Sequence, residues 1–169
     1  HLGAPVHAQH GVITVSRAAQ LRAFDMTVPG DISSAAFFLV AALIVPGSEI
    51  LLKNVGLNPT RSGVITLLRA MGGDITVLPR EDSLEPRGDL LVRASRLHGI
   101  EIGGAIIPNV IDELPILAVA AAYAEGETRI FDAAELRHKE SDRIAAMCAM
   151  LEKCGVSLAE TPDGMILYG

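Results

Sequence analysis

The chain of 169 residues contains no tryptophan, few aromatic residues (4%) and only two cysteines, Cys148 and Cys154. Two cysteines cannot form the framework of a disulfide-rich domain, and neither has further ligands at the spacing of a metal site. We therefore expect neither a disulfide scaffold nor a bound metal. Both thiols lie on or just after an apolar segment, so we expect them to be buried, in a protein of the reducing cytoplasm.

A surplus of positive charge and a long apolar run are also missing. The net charge is −6, and no basic stripe with interleaved aromatic residues offers a surface to nucleic acid. The longest uncharged apolar run, residues 35–45, ends at Pro46-Gly47 and falls short of the ~20 residues that a membrane-spanning helix needs. We expect no nucleic-acid partner, no membrane, and a core helix at 35–45.

The densest polar cluster is the stretch 136–144 (LRHKESDRI), which leads into an apolar segment. Ser141 and Asp142 are both good N-cap residues, so a helix is predicted to begin there. Lys139, Glu140 and Arg143 then surround its first turn. Unpaired N–H groups and the helix dipole favour an anion at that end, which predicts a phosphate or carboxylate between the two cations. The alternative is an exposed start with a Glu140–Arg143 pair, worth ~0.5 kcal/mol.

A second polar stretch, residues 108–115 (PNVIDELP), precedes another apolar segment. Asp112 fits the N-cap of the predicted helix, and Pro115 is tolerated in its first turn. Two interpretations of Asp112 stay open. It caps the helix and has no further role, or it acts as a general base if a substrate hydroxyl comes within hydrogen-bonding distance.

An internal repeat organises the chain. With Leu39 aligned to Ala118 and no gap, residues 39–52 match residues 118–131. We predict two β-α-β-α-β-β units, at about 24–95 and 101–169, in which each second helix ends at glycine. The first unit has predicted strands at 24–28, 74–78 and 89–93, another strand in 48–52, and helices at 32–45 and 63–71. The second has strands at 101–106, 156–159 and 165–168, another in 127–131, and helices at 114–124 and 142–153.

The helices at 32–45 and 114–124 are apolar on every side, which predicts that they are buried on every side. The sheets and the amphipathic helices then lie outside them. Residues 11–15 alternate in polarity and predict a strand, with partners expected upstream of the chain. Pro29-Gly30 is a predicted hinge.

Three stretches carry a family resemblance: residues 28–37 (VPGDISSAAF), 111–122 (IDELPILAVAAA) and 136–144. In order and spacing they closely resemble the 5-enolpyruvylshikimate-3-phosphate synthase family. The run 58–61 (NPTR) and Glu135 are similar to the bacterial subgroup called class II, whose members tend to tolerate glyphosate. His138 stands where the family usually has valine.

The resemblance implies an α/β fold, an inside-out α/β barrel of the enolpyruvyl transferase type, with three repeat units in each of two domains. Members of the family are much longer than this chain, so we expect a fragment. Residues 1–28 would be the tail of the first domain and the hinge, and residues 29–169 would hold two of the three units of the second domain. The full enzyme is expected to be a monomer. The fragment is expected to self-associate through helix surface that the third unit would cover.

The activity implied by the resemblance is transfer of the enolpyruvyl group from phosphoenolpyruvate to the 5-hydroxyl of shikimate 3-phosphate, in the biosynthesis of aromatic amino acids. Asp112 matches the family's base and one of its ligands of shikimate 3-phosphate, and Glu140 matches its acid. Lys139 matches a ligand of shikimate 3-phosphate, and Arg143 matches a ligand of phosphoenolpyruvate. No cofactor and no metal are implied, and glyphosate is a candidate inhibitor. The fragment alone is expected to be inactive.

Two other functions remain open. UDP-N-acetylglucosamine enolpyruvyl transferase shares the fold and the donor, although the stretches 28–34 and 139–143 favour the shikimate enzyme. A non-catalytic repeat module would use the same charges only to stabilise helix ends. The modular alternative predicts that Asp112, Lys139, Glu140 and Arg143 do not converge on one face.

Overall fold

The computed structural model describes residues 3–18, 20–80 and 85–169, so the predicted ranges 1–28 and 24–95 each contain residues outside these bounds. The helices in chain order are α1 (Ile32–Ile44), α2 (Gly63–Ala70), α3 (Ile107–Val110), α4 (Leu114–Ala121) and α5 (Arg143–Lys153). The strands are β1 (Val6–Gln9), β2 (Val12–Val15), β3 (Glu49–Gly56), β4 (Asp74–Arg80), β5 (Arg87–Arg93), β6 (Glu101–Ile102), β7 (Glu127–Ile130), β8 (Ser157–Thr161) and β9 (Gly164–Tyr168).

The first repeat unit contains α1, α2 and an antiparallel sheet of order β3-β5-β4. The chain enters this unit at Gly30, which forms a parallel bridge with Val55 of β3. The Gly30 N–H donates to the Asn54 carbonyl at 2.6 Å, and its carbonyl accepts from the Gly56 N–H at 2.8 Å. The predicted hinge is therefore attached to the sheet edge immediately before α1 begins.

The second unit has a sheet of order β6-β7-β9-β8, in which β6 runs parallel to β7 and the other pairs are antiparallel. A 3₁₀ turn at Gly104–Ile106 and the short α3 lead from β6 to α4. A second 3₁₀ turn, Ala134–His138, leads from β7 to α5. These two connections carry the polar stretches that the sequence singled out.

The core lies between the two units, where α1 packs against α4. Leu39 and Leu43 of α1 and Leu117 of α4 are at most 1% exposed. The predicted burial on every side is largely confirmed for α4, whose residues are buried or half-buried. It is wrong for α1, where Ser34, Phe37, Phe38 and Ala41 form an exposed face and each phenylalanine is 61% exposed.

Both amphipathic helices end as the sequence predicted, at glycines with positive φ. Gly72 has φ +94° and Gly155 has φ +85°, a region that other residues rarely adopt. In each unit the next residue donates back into the helix: Gly73 to the Leu68 carbonyl at 2.9 Å, and Val156 to the Leu151 carbonyl at 3.0 Å. The repeat therefore extends to the way each helix is terminated.

Three predicted strands need correction. Residues 24–28 form no strand; the backbone bridge to the edge of β3 lies two residues further on, at Gly30. The strand predicted at 101–106 stops at Ile102, where Gly103 and Gly104 turn the chain into the 3₁₀ turn. The strand predicted at 11–15 forms as β2, but its partner is β1 within this chain rather than an upstream segment.

The two thiols differ from each other. Cys148 is 2% exposed on the buried face of α5, and burial raises its pKa to about 11. Cys154 is exposed, against the prediction, because it stands at the C-cap of α5, beyond the buried face formed by Ile144, Cys148 and Leu151.

Among the described residues, no single helix has the length and hydropathy to cross a membrane. Gly104–Val110 and Leu114–Ala121 satisfy both criteria only when taken together, and the two are bent by 111°.

Candidate functional site

Asp112 lies in the connection between α3 and α4, with a side chain that is 53% exposed. It is not the N-cap that the sequence predicted. Helix α4 begins at Leu114, with Glu113 in the cap position and no side-chain cap bond, and Pro115 lies in the first turn as expected. The Asp112 carboxylate is drawn away from the helix end because a guanidinium from α5 offers it a charged donor.

The start of α5 supplies that donor. Asp142 is the N-cap, and its Oδ1 accepts from the Ala145 N–H at 3.0 Å, which confirms one of the two predicted caps. The helix therefore begins at Arg143, and Glu140 lies just before it. The Arg143 side chain is 29% exposed and projects from the first turn toward the α3–α4 connection.

Arg143 joins the two candidate carboxylates. Its Nη1 lies 3.3 Å from Asp112 Oδ1, and its Nη2 donates to Glu140 Oε2 at 2.6 Å. Lys139 faces a different carboxylate, with Nζ 3.5 Å from Glu135 Oε1. The structure thus brings Asp112, Glu140 and Arg143 into one hydrogen-bonded group, with Lys139 directed to Glu135 beside it.

The local charges lower the pKa of Glu140 below its ordinary value. The main cause is a hydrogen bond from its own backbone N–H, followed by the hydrogen bond and charge of Arg143 and, to a smaller degree, the charge of Lys139. The hydrogen bond to Glu140 in turn raises the pKa of Arg143. Glu140 is therefore ionised at neutral pH in this arrangement, and Arg143 is held between two anions.

Arg137 fixes the segment that carries Lys139 and Glu140. Its guanidinium donates to the Pro162 carbonyl at 2.6 Å, to Glu160 Oε1 at 2.9 Å and to Asp142 Oδ2 at 2.7 Å. The Asp142 bond is the first cause of the raised pKa of Arg137. One side chain thus ties the 3₁₀ turn to the β8–β9 hairpin and to the cap of α5.

Sequence reasoning missed a group of polar side chains on the other flank of Asp112. Glu113 is only 3% exposed and accepts from the Ser33 hydroxyl, which accepts from Arg61 Nη2 at 3.0 Å. Asn109 also reaches the first unit, through Gly63 and Pro59. Ser33 and Arg61 belong to motifs that were noted only for their resemblance. The sequence did offer one indication of Glu113, since it is a second carboxylate directly after Asp112.

Among the residues that the structure describes, no group of three histidine, cysteine, aspartate or glutamate side chains could hold a metal ion. The side chains gathered at this site carry carboxylates, guanidinium groups and an ammonium group. Such groups bind anions and transfer protons.

Comparison with known proteins agrees with this architecture. An EPSP synthase of Acinetobacter baumannii superimposes with a TM-score of 0.94 and 44% identity, over 99% of this chain and 38% of that one. The enolpyruvyl transferase NikO of Streptomyces tendae superimposes over 99% of this chain and 37% of its own, with a TM-score of 0.66 at 18% identity, which shows the fold alone. The fold is that of the enolpyruvyl transferases.

Among the enolpyruvyl transferases, sequence similarity identifies the family. A family model described as EPSP synthase (3-phosphoshikimate 1-carboxyvinyltransferase) matches residues 1–169. Relatives named 3-phosphoshikimate 1-carboxyvinyltransferase from Geobacter sulfurreducens and Geotalea uraniireducens are 58% and 59% identical over 100% of this chain. The chain belongs to the EPSP synthase family. It spans 40% of the length of these relatives.

Proposed function

We propose that this chain carries part of the site at which the enolpyruvyl group of phosphoenolpyruvate is transferred to the 5-hydroxyl of shikimate 3-phosphate. The observation that carries the proposal is the Asp112–Arg143–Glu140 group, in which two carboxylates from different connections share one guanidinium. A base, an acid and an anion ligand are the parts that this transfer requires. Family membership supports the same substrates.

In the proposed reaction, Asp112 removes the proton of the 5-hydroxyl as its oxygen bonds to C2 of phosphoenolpyruvate. Glu140 delivers a proton to C3, which gives a tetrahedral adduct. Loss of a C3 proton back to Glu140 and cleavage of the bond between C2 and the phosphate oxygen then release phosphate. Lys139 and Arg143 bind the anionic groups of shikimate 3-phosphate and phosphoenolpyruvate, respectively.

Glu140 has to be protonated to act as the acid, yet its pKa is lowered in the structure. A substrate carboxylate or phosphate that binds Arg143 competes with Glu140 for the same N–H groups. Such competition removes one cause of the lowered pKa and adds a like charge nearby, and both changes raise the pKa of the carboxyl group. Binding of the donor therefore prepares the acid.

We infer that residues 1–28 belong to a first domain and hinge and that residues 29–169 hold two of the three units of a second domain. A cytoplasmic location and a monomeric full-length enzyme are parts of the same proposal, and glyphosate is a candidate inhibitor.

The test is a chimera in which this chain replaces the matching 40% of the Geobacter sulfurreducens relative. We expect phosphate release that requires both shikimate 3-phosphate and phosphoenolpyruvate. UDP-N-acetylglucosamine as the preferred acceptor would instead support the sister enzyme. A folded but inactive chimera, beside an active parent, would contradict the proposal.

The substitution Asp112→Ala in the chimera should lower kcat by about 10² to 10⁴, as removal of a general base typically does, with little change in substrate affinity. The matched control is Glu152→Ala, which removes an exposed carboxylate from the far end of α5. Steady-state kinetics of phosphate release give both values. An unchanged kcat would remove Asp112 from the mechanism.

The isolated chain should show no turnover in the same assay. The charges of Lys139 and Arg143 are balanced by Asp112, Glu140 and Glu135. This part of the site therefore has no excess positive charge with which to bind the two substrates, both of which are multiply charged anions. Turnover comparable to that of the chimera would show that 169 residues suffice for the reaction.

A further inference from the structure

The segment from Asn109 to Glu113 is held at both ends by the first repeat unit. At the Asn109 end, Oδ1 accepts from the Gly63 N–H at 2.9 Å and Nδ2 donates to the Pro59 carbonyl at 2.7 Å. The Gly63 N–H is one of the unpaired groups at the start of α2, where Ser62 makes no side-chain cap bond. Asn109 therefore caps a helix of the other unit.

At the Glu113 end, the contacts run through α1. The buried Glu113 carboxylate accepts from the Ser33 hydroxyl, and Ser33 accepts from Arg61 Nη2 at 3.0 Å. Arg61 in turn lies 3.7 Å from Asp31, the N-cap of α1. A buried carboxylate is costly unless it is hydrogen-bonded, so Glu113 is strongly tied to Ser33.

The packing between these two ends leaves little freedom. Val110 is 0% exposed, and a Cβ on Gly63 would lie 2.7 Å from Val110 Cγ1 and 2.9 Å from Asn109 Oδ1. Glycine at position 63 is what permits this close approach. The exposed Asp112 carboxylate sits on this fixed segment and bonds to Arg143 from the other side.

We propose that Asn109 and Glu113 are positioning residues for Asp112, and that Ser33 and the loop 58–62 of the first unit hold them in place. The inference rests on the proposed role of Asp112 as the base. A misplacement of about 1 Å can lower a rate 10²-fold, so a base on a loop needs such support.

The inference also gives the NPTR motif a role. Asn58 Oδ1 accepts from the Thr60 N–H at 3.0 Å and from the Thr60 hydroxyl at 2.8 Å, which shapes the loop. Within this loop, Pro59 supplies the carbonyl for Asn109, and Arg61 supplies the guanidinium for Ser33. One loop thus serves both ends of the Asp112 segment.

The test uses Ser33→Ala and Asn109→Ala in the chimera. Each should lower kcat by about ten- to a hundredfold, with the KM of both substrates within about threefold, because neither residue is placed against a substrate. Ser34→Ala is the matched control, since its hydroxyl donates to Asp31 in the same turn of α1 and not to the second unit among the described residues. Its kcat should stay within about twofold of the parent value.

Two further measurements separate positioning from a general loss of structure. In the Asp112→Ala background, Ser33→Ala should cause no additional loss of kcat, because its effect passes through Asp112. Glu113→Gln keeps an oxygen that accepts from Ser33, so its kcat should stay closer to the parent value than that of Glu113→Ala. If Glu113→Ala does not fold, the Ser33 and Asn109 variants decide.

The inference is overturned if folded Ser33→Ala and Asn109→Ala variants keep the parent kcat. It is equally overturned if Ser33→Ala lowers kcat by the same factor with and without Asp112. An inactive parent chimera would instead contradict the proposed function, so the two failures are distinguishable.

Discussion

At the scale of single residues, Arg143 is the centre of the site. Its guanidinium bonds Glu140 at 2.6 Å and Asp112 at 3.3 Å, so this one cation lowers the pKa of Glu140 and supplies a hydrogen bond to Asp112. An anion that binds Arg143 is therefore held in place and, at the same time, changes the proton affinity of Glu140, the proposed acid. In the proposed reaction, one side chain thus links substrate binding to proton transfer.

Arg143→Gln should raise the pKa of Glu140, because an acid that loses a neighbouring cation holds its proton more tightly. The rise should stop below the ordinary glutamate value, since the hydrogen bond from the backbone N–H of Glu140 is the larger cause and remains. A pH titration of the Glu140 carboxyl carbon by NMR measures the change. Arg129→Gln, which removes the partner of Glu127 on β7, is the control. An unaltered Glu140 pKa would mean that the Arg143 bond does not form in solution.

The residue types of the site and the Glu140–Arg143 pair could be predicted from the sequence, but the remaining partners could not. The charges at 139–143 and the carboxylate of Asp112 stand out in the sequence, and Asp112, Glu140 and Arg143 meet as expected. The predicted cap role of Asp112 is wrong, because a guanidinium distant in sequence outcompetes a local N–H. Glu113 and Ser33 pair across the two units, a contact that no local spacing encodes.

At the scale of elements, the two central helices begin in different ways. Helix α1 has a strong cap: Asp31 accepts from the N–H groups of Ser33 and Ser34 at 3.3 and 3.1 Å. Desolvation opposes ionisation of Asp31, but these N–H groups, the Ser34 hydroxyl and the charge of Arg61 together outweigh it and lower its pKa. Helix α4 has no side-chain cap. The uncapped start leaves the Asp112 connection free to be shaped by contacts with the first unit.

Asp31→Ala should destabilise the chain by about 1 kcal/mol, the usual cost of a lost N-cap. Ser62→Ala should cost less than about 0.5 kcal/mol, since Ser62 makes no side-chain cap bond. Urea denaturation of both variants compares the start of α1, capped by Asp31, with the start of α2, which follows Ser62. Equal losses would contradict the assignment of Asp31 as the stronger cap.

The Asp31 difference should also depend on pH. The folded pKa of Asp31 is lowered, so its stabilisation is fully present above the ordinary aspartate value of 3.8 and is lost as the pH falls through the folded pKa. The gap between parent and Asp31→Ala should therefore close in acid. A gap that persists at the lowest pH would mean that the charge of Asp31 does not matter.

The types of the elements could largely be predicted, because the spacing of hydrophobic residues and the glycines that end helices are both features of residues close in the sequence. All four helices predicted in the two units form, within a few residues of their predicted ends. The strand predicted at 24–28 fails for a different reason. A strand forms only where a neighbouring strand edge pairs with it, and the backbone bridge to β3 lies at Gly30, two residues beyond the predicted strand. Pairing depends on tertiary structure, which residue pattern does not report.

At the scale of the whole molecule, the apolar interior is not fully covered. Phe37 and Phe38 are adjacent on α1, each 61% exposed, and Tyr123 just after α4 is 64% exposed. Contiguous exposed aromatic side chains are uncommon on monomeric proteins and favour association. The face of α1 that carries the two phenylalanines is therefore a surface for further packing.

The isolated chain should form dimers or larger species, and the double substitution of Phe37 and Phe38 by Ser should shift it toward the monomer. Light scattering at high protein concentration measures this. Leu21→Ser, at a residue that is similarly exposed (60%) but lies outside α1, is the control. A clean monomer of the unsubstituted chain would contradict the prediction.

The repeat alignment has a consequence for how this sequence can change. With Leu39 aligned to Ala118, Ser33 occupies the position of Asp112, and Ser34 occupies that of Glu113. The two equivalent positions therefore carry different chemistry: a hydroxyl that bonds Glu113 in the first unit and the proposed base in the second. The Ser33 hydroxyl donates to Glu113 of the other unit, so a change at either position affects both units. Substitutions at 33 and 113 should accordingly be inherited as a pair.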